Sequence, residues 1–211
     1  MFDINIHVDK ELGSALHFSE RIKAVTGFFG MRLGEGPEYY LIRSNGEREI
    51  RKYSALTLAS ISLPFNGSLD LVVNNSFQAL SAYLAGKNEL KETIEMTAAI
   101  FYEETRLQEG DGFLTTSFIL PNKIELKNAP PPIDQRIKLH QQPPQMVACR
   151  SFVGPADEDK VQKYSAELRE WLKQYSSYRA ENQVKVAEYN RPQTLSFLRK
   201  NEVHIDVKTV T

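Results

Sequence analysis

The sequence predicts an α+β fold in which two similar halves share one curved antiparallel sheet or open barrel, with two main helices. Two stretches carry apolar residues at helical spacing, and several others alternate in polarity as half-buried strands do. The order strand, helix, strand, strand occurs twice, over about residues 48–121 and 136–207. Two such units can join edge to edge around a pseudo-twofold axis, which leaves fewer strand edges unpaired.

The composition is that of an ordinary globular protein. Of 211 residues, 41% are hydrophobic and 25% are charged, and the net charge is -1. Such a charge argues against general binding to polyanions, so we expect no nucleic-acid partner. No apolar run approaches the roughly 18 residues of a membrane span, and the acidic start lacks the basic region of a signal peptide. We therefore expect a cytoplasmic monomer that does not contact a membrane.

Residues 1–35 are predicted to form an N-terminal extension. Apolar residues within it recur with the spacing of an imperfect amphipathic helix. These are Leu12, Ala15, Leu16, Ile22, Val25 and Phe29. The extension can either cover a sheet face or act as a lid. The main domain is predicted over residues 36–211.

The main domain is predicted to open with a hairpin. A short strand over residues 39–42 is followed by Asn45-Gly46, a pair that tolerates the positive φ of a tight turn. A long strand over residues 48–63 comes next. Its polar face is interrupted near Ser54, which predicts a bend or a bulge there.

The first main helix is predicted to begin at Ser76, a favourable N-cap residue. Its apolar stripe consists of Phe77, Leu80, Tyr83 and Leu84, and Gly86 ends it. Alternation then predicts a strand over residues 93–104, a turn over 109–112 and a strand over 113–120.

Three consecutive prolines within residues 128–133 predict a stiff connector between the halves. After it we expect a long strand over residues 136–152 and a helix opened by Pro155 and Asp157. Strands over residues 184–189 and 201–207 complete the second half. The single cysteine, Cys149, lies in an apolar run and is predicted to be buried.

Several segments together resemble the SOUL, or haem-binding protein, family. The segments AYLAGKNE and IEMTAAI resemble its central motif, and YYLIRSNGEREIRKY resembles its opening strand pair. PPPIDQRI, VACRSFVGPA and FLRKNEVHI are similar to its connector, its second long strand and its closing strand. The resemblance covers roughly residues 36–207 in order. It implies the same two-helix architecture, which effector-binding domains of some bacterial regulators share, and non-covalent binding of haem or another tetrapyrrole.

Haem binding requires an apolar slot and cations for the propionates. The predicted slot is walled by four residues of the first helix and the strand after it. These are Phe77, Leu80, Leu84 and Met96. The predicted propionate contacts are Arg51, Lys52 and Lys87. The alternative is that the same stripe only packs the helix on its sheet.

The axial iron ligand is harder to assign. Where a histidine ligand has been proposed in the family, it lies in the segment E-I-R-H-Y, and this chain has Lys52 at that place. A protonated lysine has no lone pair for iron, although it can bind a propionate. His140 and His204 are both predicted on solvent-facing sides of strands. His140 is the better candidate because it borders a loop over residues 141–144.

No nucleophile elbow, phosphate-binding loop, dinucleotide fingerprint or zinc-protease motif is present in the sequence. We interpret Glu103 and Glu104 as a solvated strand end. The expected function is therefore a haem carrier or buffer that is not an enzyme. Two alternatives are an effector-binding module for other amphipathic small molecules and an enzyme acting on a hydrophobic substrate. For that enzyme the residues to inspect are Tyr83, Tyr164 and Glu95.

Overall fold

The computed structural model describes residues 36–66, 69–107, 111–190 and 194–210. Within these ranges the chain forms nine strands and two α-helices. The strands are β1 (Tyr39–Asn45), β2 (Arg48–Tyr53), β3 (Leu56–Asn66), β4 (Ile100–Arg106), β5 (Asp111–Ile119), β6 (Lys138–Gln142), β7 (Gln145–Val153), β8 (Tyr178–Glu188) and β9 (Lys200–Thr209). The helices are α1 (Asp70–Leu84) and α2 (Glu158–Leu172). The predicted N-terminal extension, residues 1–35, lies outside the described residues.

The described strands form one antiparallel sheet in the order β1-β2-β7-β9-β8-β4-β5-β3-β6. Because β1 and β6 remain as edges, the curved sheet does not close into a barrel. The predicted α+β fold, with a curved antiparallel sheet and two main helices, is confirmed.

Two topologically equivalent units build the sheet. The units β3-α1-β4-β5 and β7-α2-β8-β9 meet where β4 pairs with β8. The order β7-β9-β8 on one side of this seam mirrors β3-β5-β4 on the other. In addition, β2 pairs with β7 and β6 pairs with β3, so each half receives a strand from the other. The predicted edge-to-edge repeat is therefore confirmed.

Both predicted long strands are divided in the structure. The first breaks at Ser54 and Ala55, because β2 pairs with β7 whereas β3 pairs with β5 and β6. The second breaks at Pro143 and Pro144, residues that have no N–H to donate to a ladder. The alternation shifts by one residue at each break, since Ile50 and then Ala59 pack towards the helices, as do Leu139 and then Met146. The first shift agrees with the predicted irregularity near Ser54.

The prediction that α1 begins at Ser76 is wrong. The helix begins at Asp70, and Ser76 lies buried in its middle, where its hydroxyl donates to the carbonyl of Val72 at 2.9 Å. The same hydroxyl lies 2.8 Å from that of Thr116 on β5. A small polar residue in a buried helical stripe therefore has the appearance of an N-cap when only the sequence is considered.

Strand boundaries near the two helices also differ from the prediction. Pairing in β4 starts only at Ile100, because the backbone N–H of Ile94 donates instead to the carbonyl of Leu84 at 2.8 Å. Conversely, β8 begins at Tyr178, earlier than predicted. The prediction missed its first residues because a register shift between Ala180 and Val184 interrupts the alternation. The predicted start of α2 is confirmed, since the Asp157 side chain caps it by accepting from the N–H of Lys160.

Both helices pack on the same face of the sheet, here called the helical face. Helix α1 lies on β3 and β5, and α2 lies on β7, β8 and β9. The opposite face, here called the inner face, carries a third apolar cluster. Its buried members are Leu56, Leu58, Ala99, Phe101, Ile119 and Ala187. No helix of the described residues is long and apolar enough to cross a membrane.

Candidate functional site

The predicted apolar wall comes together in the structure. Phe77, Leu80 and Leu84 join Met96 in the cluster between α1 and the sheet. Leu80 and Leu84 are buried at 0% and 5% exposure, whereas Phe77 and Met96 are half-buried at its margin. The Phe77 ring meets that of Phe118 edge to face, with centroids 5.6 Å apart. Two members of the predicted wall are therefore core residues, and two are accessible in part.

The three predicted cations do not share one surface. Lys52 and Lys87 are exposed, and Lys87 follows the C-terminal end of α1. Arg51 is only 1% exposed. Successive residues of a strand point to opposite faces, so Arg51 lies on the inner face while its neighbour Lys52 lies on the helical face.

Arg51 belongs to a group of polar residues on the inner face, here called the buried ionic cluster. Its members are Glu49, Arg51, Tyr53, Ser151, Tyr189, Glu202 and His204. Both terminal nitrogens of Arg51 donate to the Glu202 carboxylate, at 2.8 and 3.0 Å, and its Nε donates to Glu49 at 2.6 Å. The hydroxyls of Ser151 and Tyr189 donate to Glu202 at 2.9 and 2.6 Å.

The electrostatics of the cluster follow from its burial and its pairing. Burial alone would raise the pKa of Glu202, but the Arg51 charge and hydrogen bonds from His204 and Arg51 hold that pKa well below its ordinary value. Burial raises the pKa of Tyr189 well above its ordinary value, and the Glu202 charge adds to the shift. Burial lowers the pKa of Lys200, whose Nζ lies 3.9 Å from Glu202. The cluster therefore holds an ionised carboxylate beside neutral phenols.

The prediction that His204 faces solvent is wrong. The residue is only 3% exposed, and its Nε2 lies 2.8 Å from the Glu202 carboxylate. Its ring centroid is 5.7 Å from that of Phe101 and 6.3 Å from that of Tyr53. Alternating polar residues usually indicate a solvated face, but here they line the inner face of a curved sheet. The charged residues at alternate positions in both β2 and β9 were the signal that the two strands share a buried ion pair.

One trio within this region has the residue types of a metal site. Ligand atoms of Cys149, Glu202 and His204 lie within 4.8 Å of one another, and all three residues are buried. Thiolate, imidazole and carboxylate groups suit zinc. However, both Glu202 oxygens bind Arg51, and burial raises the pKa of Cys149 well above its ordinary value. The arrangement therefore fits an ionic network better than a metal centre. The predicted burial of Cys149 is confirmed.

His140, the predicted iron ligand, lies away from this trio. It is exposed on the edge strand β6, where it is paired with Leu58. Its predicted solvent-facing position is confirmed.

A surface cavity of about 280 Å³ lies where β2 gives way to β3. It is lined largely by polar groups, including Glu38, Ser54, Thr57 and Asn122. None of the predicted haem-binding residues lines it. The cavity is therefore distinct from the predicted slot beside α1.

Comparison with known proteins agrees with the resemblance seen in the motifs. Residues 34–206 match the family model described as SOUL heme-binding protein. The chain belongs to the SOUL family. The human protein "Heme-binding protein 2" (Homo sapiens) is 28% identical over 160 residues, covering 75% of this chain and 77% of that protein. Family membership indicates a binding role rather than a catalytic one.

Solved structures share the fold at low sequence identity. The EcmrR C-terminal domain has a TM-score of 0.57 and is 12% identical, with 82% of this chain and 99% of that chain covered. A hydrolase from Listeria innocua has a TM-score of 0.53 and is 11% identical, with 88% and 98% covered. At such identities the likeness shows the fold alone.

The SOUL motif after α1 has a structural role in this chain. The Asn88 side chain is fully buried, donates to the carbonyls of Tyr83 and Glu92, and accepts from the N–H of Glu92. Gly86 has a φ of 98°, a conformation that favours glycine. The Tyr83 hydroxyl donates to the carbonyl of Pro130 at 2.9 Å. These bonds fix the end of α1 against the proline-rich connector.

Proposed function

We propose that this SOUL protein binds haem or a related tetrapyrrole reversibly and without a covalent bond, as a carrier or buffer rather than an enzyme. The observation that carries this proposal is the family match over residues 34–206. A relative that is 28% identical and is named "Heme-binding protein 2" supports it. The protein acts as a cytoplasmic monomer and needs neither nucleic acid nor a membrane.

The macrocycle packs on the accessible part of the apolar cluster beside α1. Phe77 and Met96 are half-buried there and contact it, while Leu80 and Leu84 support them from beneath. Burying apolar surface contributes about 25 cal/mol per Å², so a flat macrocycle gains affinity without a bond to iron. Association entropy offsets part of that gain.

The propionates are bound by exposed cations. Lys87 and Lys52 are both accessible, and Lys87 lies next to the helix that carries Phe77. Arg51 is omitted, because both of its terminal nitrogens already bind Glu202 within the protein. Moving Arg51 to a ligand would leave a buried carboxylate unpaired, which is costly.

When bound, haem supplies a redox-active iron, and the residues of this chain bind and orient the macrocycle. Among the histidines within the described ranges, His140 is exposed, whereas His204 is buried against Glu202. His140 is opposite Leu58 and so lies on the inner face, across the sheet from Phe77 and Met96. We therefore propose binding without an axial bond from His140.

Titration of the purified protein with hemin and with protoporphyrin IX tests this function. Comparable saturable binding of both is expected, since apolar and propionate contacts do not require iron. Phe77→Ala should weaken both ligands by about tenfold, equivalent to about 1.4 kcal/mol of lost contact. Phe113→Ala, a matched change at an exposed ring on β5, should leave both affinities unchanged. Failure of both ligands to saturate removes the proposal.

Two further variants divide the roles of the polar residues. Lys87→Glu should weaken hemin more than Lys123→Glu, which reverses a charge at another exposed position. His140→Ala should leave both the Soret shift of hemin and the binding of protoporphyrin unchanged. A reduced Soret shift in that variant would show instead that His140 binds the iron.

A further inference from the structure

The surface cavity at the break between β2 and β3 has no role in the proposed binding of haem. Its volume is about 280 Å³, just below the range of about 300–1,000 Å³ that is usual for drug-sized ligands, so it suits a smaller molecule. Three parts of the chain line it, namely the segment before β1, the start of β3 and the turn after β5.

Backbone hydrogen bonds fix the walls of this cavity. The N–H of Leu120, which directly follows β5, donates to the carbonyl of Thr57 on β3 at 2.9 Å. The N–H of Ile124 donates to the carbonyl of Pro121 at 2.8 Å and closes the next turn. Residues 54 and 55 pair with neither β7 nor β6, which leaves a gap beside that turn. The backbone therefore shapes the cavity before any ligand binds.

Four polar side chains of the lining have no hydrogen-bond or ion-pair partner within the described part of the chain. These are Glu38, Ser54, Thr57 and Asn122. Thr57 is only 8% exposed, whereas the other three are exposed. A hydroxyl on a buried residue usually has a hydrogen-bond partner, and a molecule in the cavity would supply one for Thr57.

The charge of the lining restricts what the cavity can bind. Glu38 is ionisable, and no lysine, arginine or histidine of the described residues lines the cavity. An anion would therefore meet a carboxylate without a counter-charge. Two hydroxyls and an amide both donate and accept hydrogen bonds, while Leu56, Leu120 and Pro121 provide apolar surface for a carbon skeleton. The lining thus suits a small molecule that has an ammonium group and several hydroxyls.

We propose that this cavity binds a small primary amine that carries hydroxyl groups, of the amino sugar or amino alcohol class. The Glu38 carboxylate accepts hydrogen bonds from the ammonium group, and the Thr57 hydroxyl and the Asn122 amide bind hydroxyl groups. A quaternary ammonium is less suited, because it has no N–H to donate and no aromatic ring of the described residues lines the cavity. None of the residues proposed for haem lines it either, so each proposal can fail without the other.

Titration of the isotopically labelled protein with glucosamine, followed by nuclear magnetic resonance, tests the site. The pH is kept slightly acidic, so that the amine of the sugar is protonated. Saturable shifts are expected at the amide signals of Ser54, Ala55 and Asn122. Glucose and N-acetylglucosamine, which lack the charge, should each bind about fivefold more weakly, at the upper limit for an exposed ion pair.

Two variants assign the polar contacts. Glu38→Gln should weaken glucosamine by about fivefold and leave glucose unchanged, because only the ammonium group requires the charge. Thr57→Val keeps the shape but removes the hydroxyl, so it should weaken both sugars by roughly threefold, within the range for a neutral hydrogen bond. Glu125→Gln is the matched control, since Glu125 follows Ile124 but pairs with Lys127 and does not line the cavity. It should leave both affinities unchanged.

Three results overturn the site: no saturable shift at the three amide signals, equal affinity for glucosamine and glucose, or an unchanged affinity for glucosamine in Glu38→Gln. An equal loss in Glu125→Gln also overturns it, because the effect would then arise from general surface charge. An unchanged affinity in Thr57→Val overturns the contact assigned to that hydroxyl.

Discussion

At the scale of single residues, Glu202 shows how a buried charge is accommodated. Its carboxylate is 1% exposed and accepts hydrogen bonds from Arg51 on β2, Ser151 on β7 and Tyr189, which directly follows β8. A buried ion pair does not by itself imply high stability, since desolvation offsets the attraction. Removing one partner is different, because the other charge is then left buried and unpaired.

Glu202→Gln is therefore expected to destabilise the protein by about 3–5 kcal/mol, the usual cost of breaking a buried pair. The change is nearly isosteric, so lost charge rather than lost volume causes the effect. Urea denaturation curves measure it as a lower midpoint. Glu170→Gln, in an exposed pair with Lys173, should shift stability by at most about 0.5 kcal/mol. Equal midpoints for the two variants would show that the buried ionic cluster contributes no more to stability than an exposed ion pair does.

The same carboxylate makes stability depend on pH. Its pKa is lower in the folded protein than the ordinary value of 4.5, so the unfolded chain binds the proton more readily. The contribution of Glu202 is therefore present above pH 4.5 and is lost as the pH falls through the folded pKa. Thermal melts from pH 7 to pH 3 should show a steeper acid decline in the wild type than in Glu202→Gln. Parallel declines would contradict the assigned pKa direction.

At the scale of elements, α1 illustrates how one helical stripe is divided between packing and exposure. Val72, Ser76, Leu80, Tyr83 and Leu84 form its buried face, and the hydroxyl of Ser76 is satisfied by α1 and by Thr116. Phe77 lies beside this face and remains half-buried. Packing and ligand contact thus use neighbouring positions of the same helix.

Leu80→Ala should cost about 2–5 kcal/mol of stability, because the residue is fully buried and its removal leaves a cavity. Leu71→Ala is the matched control on the same helix, since Leu71 is 68% exposed. It should change stability by less than about 0.5 kcal/mol, as surface substitutions usually do. Urea denaturation of both variants measures the difference. Similar losses would mean that α1 does not pack on the sheet through Leu80.

At the scale of the whole molecule, the two halves are interlocked rather than merely adjacent. The seam between β4 and β8 joins them, and β2 and β6 each pair with the opposite half. Neither half can complete its part of the sheet without a strand from the other. The described residues should therefore unfold as one unit.

Trp171 allows a direct test, because it is the single tryptophan of the chain and lies buried on α2 in the second half. Its fluorescence and the far-ultraviolet circular dichroism should give coincident urea transitions. Leu80→Ala lies in the first half, yet it should shift both transitions to the same lower midpoint. A circular dichroism loss that precedes the fluorescence change in this variant would show that the halves unfold separately.

Sequence patterns alone determined much about this protein. The repeated order of elements predicted two halves that join edge to edge. This order could be read from the sequence because the residue spacing that indicates a helix or a strand is a local property. The acidic first turn of α2 and the Asn45-Gly46 hairpin followed from local chemistry in the same way. The SOUL motifs identified the family and so directed attention to haem.

Only the tertiary structure decided which polar residues are buried and which strands exchange partners. Arg51 and His204 have the alternation of solvent-facing residues, yet the sheet curves around them and pairs both with Glu202. The breaks at Ser54 and Pro143 lead strands into the opposite half, and sequence alternation does not reveal those new partners. The physical reason is that the periodicity and polarity of a sequence specify which residues share a face of a strand. Strand pairing and sheet curvature determine whether that face contacts solvent or other parts of the protein.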